Sequence, residues 1–173
     1  MTQTLERAAS SAIELHASVG RGTSLSRWFT IDQALIDAHA RISGDARVIH
    51  VDPTRAANEG PFGGTIAPGF LTLSLLPAMA AEAVPTPANV RMTLDYGFDR
   101  VRFLAPVRSG ARVRGRFGLT HLDDQTVGEL TLTWSVSVEV DGALKPALAA
   151  TWITRQYLTV PARPVAETIS RVA

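Results

Sequence analysis

The sequence predicts an α+β domain in which a curved antiparallel sheet wraps around one long, central, buried helix. Residues 69–84, GFLTLSLLPAMAAEAV, are apolar on nearly every face of a helix, which is typical of a helix buried on all sides. From residue 96 onward the apolar side chains alternate or cluster as they do in strands, with turn residues between them. An apolar helix needs an element to cover it, and an antiparallel sheet is the element available.

Composition places the chain among globular proteins of one domain. Its 173 residues are 46% hydrophobic, which is enough to fill one core. Seventeen basic and sixteen acidic side chains give a net charge of +1, so charge favours neither nucleic acid nor a membrane surface as a partner. The absence of cysteine excludes disulfides, thiolate metal sites and a cysteine nucleophile.

We expect a single domain over residues 19–160, with an N-terminal extension at 1–18 that could be helical and a C-terminal tail at 161–173. The extension lacks a basic start followed by an apolar run, so no secretory signal is predicted and a cytoplasmic location is expected. The most apolar window, residues 66–84, contains prolines, a glycine and a glutamate. It therefore does not match a membrane span, which needs roughly 20 apolar residues.

In the first half of the chain we expect a short strand at 26–31 and then a helix. Asp32 can cap this helix by accepting a hydrogen bond from a backbone N–H of its first turn, and Ile31 can pack beside the cap as a hydrophobic staple. The helix should end near Ser43-Gly44. Its apolar residues recur at steps of three and four, which predicts a buried stripe of Leu35, Ala38 and Ile42.

Residues 45–67 are predicted to form a long structured loop, and such loops within a domain are usually functional. A turn of helix is expected at 53–58, with Asp52 as its cap. Pro68 suits the first position of the following buried helix, where its missing N–H has no helical partner. Pro77 should kink that helix.

The second half of the chain predicts three to four antiparallel strands, drawn from residues 96–122, 128–142 and 147–160. Asp141-Gly142 is a hairpin turn signal between two of them.

Asp45 and His50 lie five positions apart in the loop and have two interpretations when taken alone. One is a turn or cap residue beside a structural histidine. The other is an acid–base pair, because imidazole titrates near neutrality and partial burial can raise the pKa of a carboxyl group toward it.

The sequence around this pair favours the second interpretation. Three segments with fixed spacing, SGDARVIHVD (43–52), FGGTIA (62–67) and GFLT (69–72), form a motif far more specific than a short pattern. With them the chain resembles the MaoC-like dehydratase family, and within it the nodulation protein N-like branch, over about residues 27–160.

The resemblance implies a hotdog fold that usually dimerises so that two sheets join. It also implies an (R)-specific enoyl-CoA hydratase, which interconverts trans-2-enoyl-CoA and (R)-3-hydroxyacyl-CoA. In that family the catalytic aspartate and histidine correspond to Asp45 and His50, and the backbone N–H that holds the thioester oxygen corresponds to Gly69. The expected partners are an acyl-CoA or other acyl-thioester substrate and a second copy of the chain. No cofactor is expected, since coenzyme A is part of the substrate.

Hydration of an enoyl thioester needs a base for the water, a proton for the α-carbon and a donor for the enolate oxygen. Asp45 and His50 could supply the first two if both contact one water. The N–H of Gly69, at the start of the buried helix, could supply the third. We also place Pro68 and Ser74 in the substrate-binding region, although Ser74 is more simply explained by a bond to a backbone carbonyl.

Two departures from the family pattern leave alternatives open. Arg47-Val48 stands where many members have Asn-Pro, and Pro68 stands where most have histidine. The alternatives are a repurposed hotdog enzyme, such as a thioesterase or a specialised dehydratase or cyclase, and a non-catalytic module that binds acyl thioesters.

Two further features of the sequence point away from additional sites. A row of arginines that share one strand face could bind coenzyme A phosphates, but a solvated outer face of the sheet is favoured: Arg112, Arg114 and Arg116. The scattered histidines do not have metal-site spacing, so no metal is expected.

Overall fold

A six-stranded antiparallel sheet curves around two short helices in the computed structural model, which describes residues 12–159. The sheet order is β1-β4-β5-β6-β3, and β2 also pairs with β4. This is the hotdog architecture, and it confirms the expected α+β class. The strands are β1 (Ser24–Leu25), β2 (Phe29–Ile31), β3 (Val90–Phe103), β4 (Ala111–Asp123), β5 (Glu129–Val140) and β6 (Leu148–Leu158). The helices are α1 (Ala12–Ser18), α2 (Gln33–Ser43), α3 (Val48–Val51), α4 (Pro53–Glu59), α5 (Gly69–Ser74) and α6 (Leu76–Ala83).

The core lies between the concave face of the sheet and the helix pair α5–α6. Alternate residues of β5 and β6 point inward, so that Leu132, Val138 and Leu148 are fully buried. Leu76 and Met79 of α6 meet this face and are also fully buried. The period-two pattern of the second half of the sequence predicted three to four strands, and four long ones are observed, although β3 begins at Val90, six residues before the predicted region.

The expectation of one helix buried on every side was wrong. The helix is divided at Leu75, and Pro77 lies in the first turn of its second half, α6. The side toward the sheet is buried, whereas the Phe70 side chain is 68% exposed on the other side. The sheet of one chain covers only one face of the pair. Pro68 was predicted to be the first helical residue but is the N-cap, one residue before the helix begins at Gly69.

The ends of α2 were predicted correctly, and its buried face was not. Asp32 Oδ1 accepts a hydrogen bond of 2.8 Å from Leu35 N, and Gly44 ends the helix in the left-handed conformation with φ of 77°. The buried residues are Ile36 and Ala40, and Ile42 is 88% exposed. Fully buried Ile31 precedes the cap and Ile36 occupies the fourth helical position, the arrangement of a hydrophobic staple. Packing at this end directs the 36/40 face inward.

The segment after Gly44, predicted to be a loop with one turn of helix, contains two short helices, α3 and α4. Asp52 Oδ1 accepts a hydrogen bond of 2.9 Å from Arg55 N and caps α4, as predicted. The preceding turn, α3, was not predicted. It is only four residues long and has no side-chain cap at its N-terminus.

The turn after β5 was predicted correctly, whereas the strand expected at 26–31 is formed only in part, as β2 (Phe29–Ile31). Ala143 N donates to Val140 O at 3.0 Å, which closes the predicted turn between β5 and β6. Leu15 of α1 is buried in the core, while residues 1–11 of the predicted extension and the whole predicted tail lie outside the described residues. Within 12–159, no helix has the length and apolarity needed to cross a bilayer.

Candidate active site

His50 is the buried centre of the site. It lies on α3 and is only 3% exposed, and its Nδ1 is 2.7 Å from the carbonyl oxygen of Ile66. A carbonyl oxygen only accepts hydrogen bonds, so Nδ1 carries the proton and donates it. In the neutral ring this leaves the lone pair on Nε2, the nitrogen that faces Asp45.

Asp45 faces His50 across a gap. Its Oδ2 is 3.7 Å from His50 Nε2, too long for a direct hydrogen bond. Within the described part of the chain, Nε2 has no hydrogen-bond partner although it is buried. A lone pair and a carboxylate oxygen at this separation can both accept from one small donor placed between them.

Arg47 holds the Asp45 carboxylate in a two-pronged ion pair. Arg47 Nε donates to Oδ1 at 2.6 Å, and the second prong reaches Oδ2 at 2.7 Å. These hydrogen bonds and the positive charge of Arg47 hold the pKa of Asp45 below its usual value. The carboxyl group therefore stays ionised at the pH at which imidazole titrates. Arg47 occupies one of the positions at which the chain departs from the family pattern.

Two polar residues far apart in sequence position the histidine. Gln33 Nε2 donates to the carbonyl oxygen of His50 at 2.8 Å, and Gln33 Oε1 accepts from Thr65 Oγ1 at 2.6 Å. Ile66 N donates to Ile49 O at 2.9 Å, which brings the Ile66 carbonyl beside the imidazole. Sequence reasoning missed both residues: Gln33 has no pattern that distinguishes it from an ordinary polar residue, and Thr65 lies in the FGGTIA segment of the motif but was not singled out.

A cavity of about 340 Å³ opens beside His50. Arg47, His50 and Gly69 contribute to a lining that is otherwise mostly apolar. A Cβ added at Gly69 would lie 2.7 Å from the Phe103 ring, so glycine permits this close approach. As the first residue of α5, Gly69 has no preceding helical turn to accept its N–H. Because α5 has only six residues, a negative charge placed here would be stabilised by a hydrogen bond from this N–H more than by a helix dipole.

The structure does not bring all the predicted site residues to this cavity. Ser74 Oγ donates to the Leu71 carbonyl at 2.8 Å, and Ser74 is not among the residues that line the cavity. It has the backbone bond that the sequence suggested as the simpler explanation. Pro68 is fully buried between two lining residues and does not itself line the cavity.

The arginine row lies on the outer face of β4, away from this cavity. Arg112 pairs with Asp141, while Arg114 and Arg116 pair with Glu139. Paired guanidinium groups of this kind fit the solvated outer face that the sequence favoured. Over the described range, no three His, Asp or Glu side chains are grouped so that they could hold a metal ion.

Comparison with known proteins shows a family match and related sequences over most of the chain. The model of the MaoC like domain family matches residues 14–140. Nodulation protein N of Rhizobium leguminosarum bv. viciae is 47% identical over 144 residues, which are 83% of this chain and 89% of that protein. The 3-hydroxyacyl-thioester dehydratase Z of Mycobacterium tuberculosis is 43% identical over 149 residues, covering 86% of this chain and 97% of that protein.

The fold also matches solved structures at lower sequence identity. An (R)-hydratase from A. caviae, involved in PHA biosynthesis, superposes with a TM-score of 0.60 at 24% identity. The match covers 77% of this chain and 93% of that one. At this identity the likeness concerns the fold.

The ion pair with Arg47 predicts how Asp45 titrates. In Arg47→Met the hydrogen bonds and the positive charge are lost, so the pKa of Asp45 should rise and its titration midpoint should move to higher pH. Carboxyl ¹³C chemical shifts followed against pH would measure this change. The matched control is Arg55→Met, which removes the exposed Arg55–Glu59 pair and should leave Asp45 unchanged. An unchanged midpoint in Arg47→Met would contradict the assigned role.

Proposed function

The chain belongs to the MaoC-like domain family, and from this premise we propose that it is an (R)-specific hydratase/dehydratase that interconverts trans-2-enoyl-CoA and (R)-3-hydroxyacyl-CoA. The observation that carries the proposal is the 3.7 Å gap between Asp45 Oδ2 and Nε2 of buried His50, a nitrogen that has no partner among the described residues. His50 and Gly69 line the adjacent cavity, and Asp45 lies outside its lining. The name of the mycobacterial relative, a 3-hydroxyacyl-thioester dehydratase, supports the same class of reaction.

In the proposed hydration, one water donates a hydrogen bond to each member of the pair. His50 Nε2 takes a proton from this water as its oxygen attacks the β-carbon of the enoyl thioester. Asp45 orients the water and, as an anion, stabilises the imidazolium that forms. His50 then returns a proton to the α-carbon, so that the enzyme regains its starting state. Dehydration follows the same steps in reverse.

The Arg47 ion pair supports this division of roles. A carboxylate whose pKa is held low is a weak base, whereas an imidazole with a free Nε2 lone pair is a competent one at neutral pH. The N–H of Gly69 would donate to the thioester oxygen as negative charge develops on it. Proton transfer and oxyanion binding are then supplied by the chain itself, without a separate cofactor, and coenzyme A enters as part of the substrate.

Asp45→Asn should slow the hydration of crotonyl-CoA about 100-fold or more, because the amide cannot stabilise the imidazolium or accept from the water as the carboxylate does. The rate is measured as loss of the ultraviolet absorbance of the conjugated thioester, and chiral analysis of the product should give only the (R)-3-hydroxy isomer. Glu59→Gln is the matched control, since it makes the same carboxylate-to-amide change at an exposed site on α4.

Other results would reject this proposal. Full activity in Asp45→Asn with an unchanged melting temperature would remove Asp45 from the mechanism. Release of free thiol from the wild type would indicate a thioesterase. Saturable binding of crotonyl-CoA without loss of absorbance would indicate a non-catalytic module.

We also propose that the chain forms a homodimer through β3. Among the described residues this 14-residue strand is the last in the sheet, and none of them pairs with its outer edge, which can therefore pair with another strand. Met92, Leu94 and Tyr96 are exposed along it. A long edge strand with exposed apolar side chains promotes strand pairing, and a second copy of β3 offers a matching edge.

Light scattering should therefore give a molar mass about twice the 18.5 kDa of one chain. Leu94→Lys places a charge on the paired edge and should shift the protein toward the monomer. Val127→Lys changes an equally apolar exposed residue just before β5 and should leave the dimer intact. A wild-type protein that is monomeric at micromolar concentration would contradict this assignment.

A further inference from the structure

A second cavity lies between α6 and the opposite end of the sheet. Its volume is about 260 Å³, and none of its lining residues lines the candidate active site. Pro77, Ala80 and Val84 form its apolar wall on the helix side, and the rings of Trp134 and Trp152 face them from the sheet. The catalytic scheme above makes no use of this cavity.

The sheet wall of this cavity is unexpectedly polar for a concave face. The register of β3 on β6 places Thr93 opposite Gln156 and Asp95 opposite Thr154, and all four residues line the cavity. Elsewhere the same face carries buried leucine, valine and alanine side chains. Thr154 and Gln156 are buried, whereas Thr93 and Asp95 are exposed. Buried polar side chains need hydrogen-bond partners, so the buried pair beside an open volume points to a ligand.

Two buried polar atoms of this wall have no partner among the described residues. They are Trp152 Nε1 and Gln156 Oε1, on side chains that are 4% and 5% exposed. The neighbouring Trp134 Nε1 is satisfied, since it donates to Thr154 Oγ1 at 3.0 Å. The unpaired set is therefore one donor and one acceptor, each on a residue that lines the cavity.

We propose that this cavity binds a small aliphatic molecule that carries a hydroxyl group. A hydroxyl can accept from Trp152 Nε1 or donate to Gln156 Oε1, and the aliphatic part would pack on the indole rings and on the helix wall. A carboxylate fits less well, because Asp95 lies on the same wall. Water alone fits less well too, since the volume corresponds to roughly nine molecules at about 30 Å³ each and most of the wall is apolar.

The tryptophans of the cavity provide the measurement. The chain has three, and Trp28→Phe removes the one outside the cavity, leaving Trp134 and Trp152 as emitters. The probes are 6-bromohexan-1-ol and 1-bromohexane, whose bromine quenches indole fluorescence on contact. Both should quench saturably in the Trp28→Phe protein.

Variants of the cavity separate hydroxyl recognition from apolar binding. Trp152→Phe removes the unpaired donor and keeps an aromatic ring, while Gln156→Met removes the unpaired acceptor at nearly constant length. At least one of them should weaken 6-bromohexan-1-ol about tenfold or more and leave 1-bromohexane within about twofold. Circular dichroism would show whether each variant is folded. If one of the two variants fails to fold, the other still tests the proposal.

Three outcomes would overturn the proposal. The first is that neither probe quenches, and the second is that each variant changes the affinity for the two probes equally. The third is that quenching vanishes as the dimer forms, which would mean that a second copy fills the cavity. The binding readout is independent of the proposed reaction. If 6-bromohexan-1-ol inhibits the hydration of crotonyl-CoA, the cavity is part of the substrate site. If hydration is unchanged, the cavity is a separate ligand site. The proposal that the cavity recognises a hydroxyl group holds in either case.

Discussion

The hydrogen bond from His50 Nδ1 to the Ile66 carbonyl is the constraint on which the site depends. It fixes one tautomer of a buried imidazole and so determines which nitrogen can accept a proton. Several elements cooperate to keep the bond: Ile66 N is held by Ile49 O, and Gln33 holds the His50 carbonyl from the first position of α2. Without it the ring could present a proton to Asp45 instead of a lone pair, and the pair could not share one water.

Neighbouring residues determine the charge and the hydrogen-bond donors around this ring. Arg47 keeps Asp45 ionised and aimed, yet its side chain lies largely in solvent, so the ion pair acts on the pKa and orientation of the carboxylate more than on folding stability. Gly69 lets α5 start directly beneath the Phe103 ring and leaves a backbone donor at the cavity. The departures from the family pattern at Arg47 and Pro68 thus leave the pair and the glycine in place.

The sequence predicted the ends of α2 and the start of α4 correctly, because they depend on residues close together in the chain. Asp32, Gly44 and Asp52 act within three or four residues of themselves, and each was placed correctly. The buried face of α2 was predicted wrongly because packing at Ile31 and Ile36 sets it. The Gln33–Thr65 bond joins residues 32 positions apart, and no periodicity predicts such a bond. Asp45, His50 and Gly69 were found through the motif as a whole, since each residue alone has an ordinary structural explanation.

The most direct test of this account is the tautomer of His50, observed by ¹⁵N–¹H correlation of the imidazole nitrogens at a pH where the ring is neutral. The account predicts a protonated Nδ1 and an unprotonated Nε2, with the solvent-exposed His121 ring as an internal reference. A proton on Nε2 would contradict it, because that nitrogen would then donate to Asp45 and could not take a proton from water.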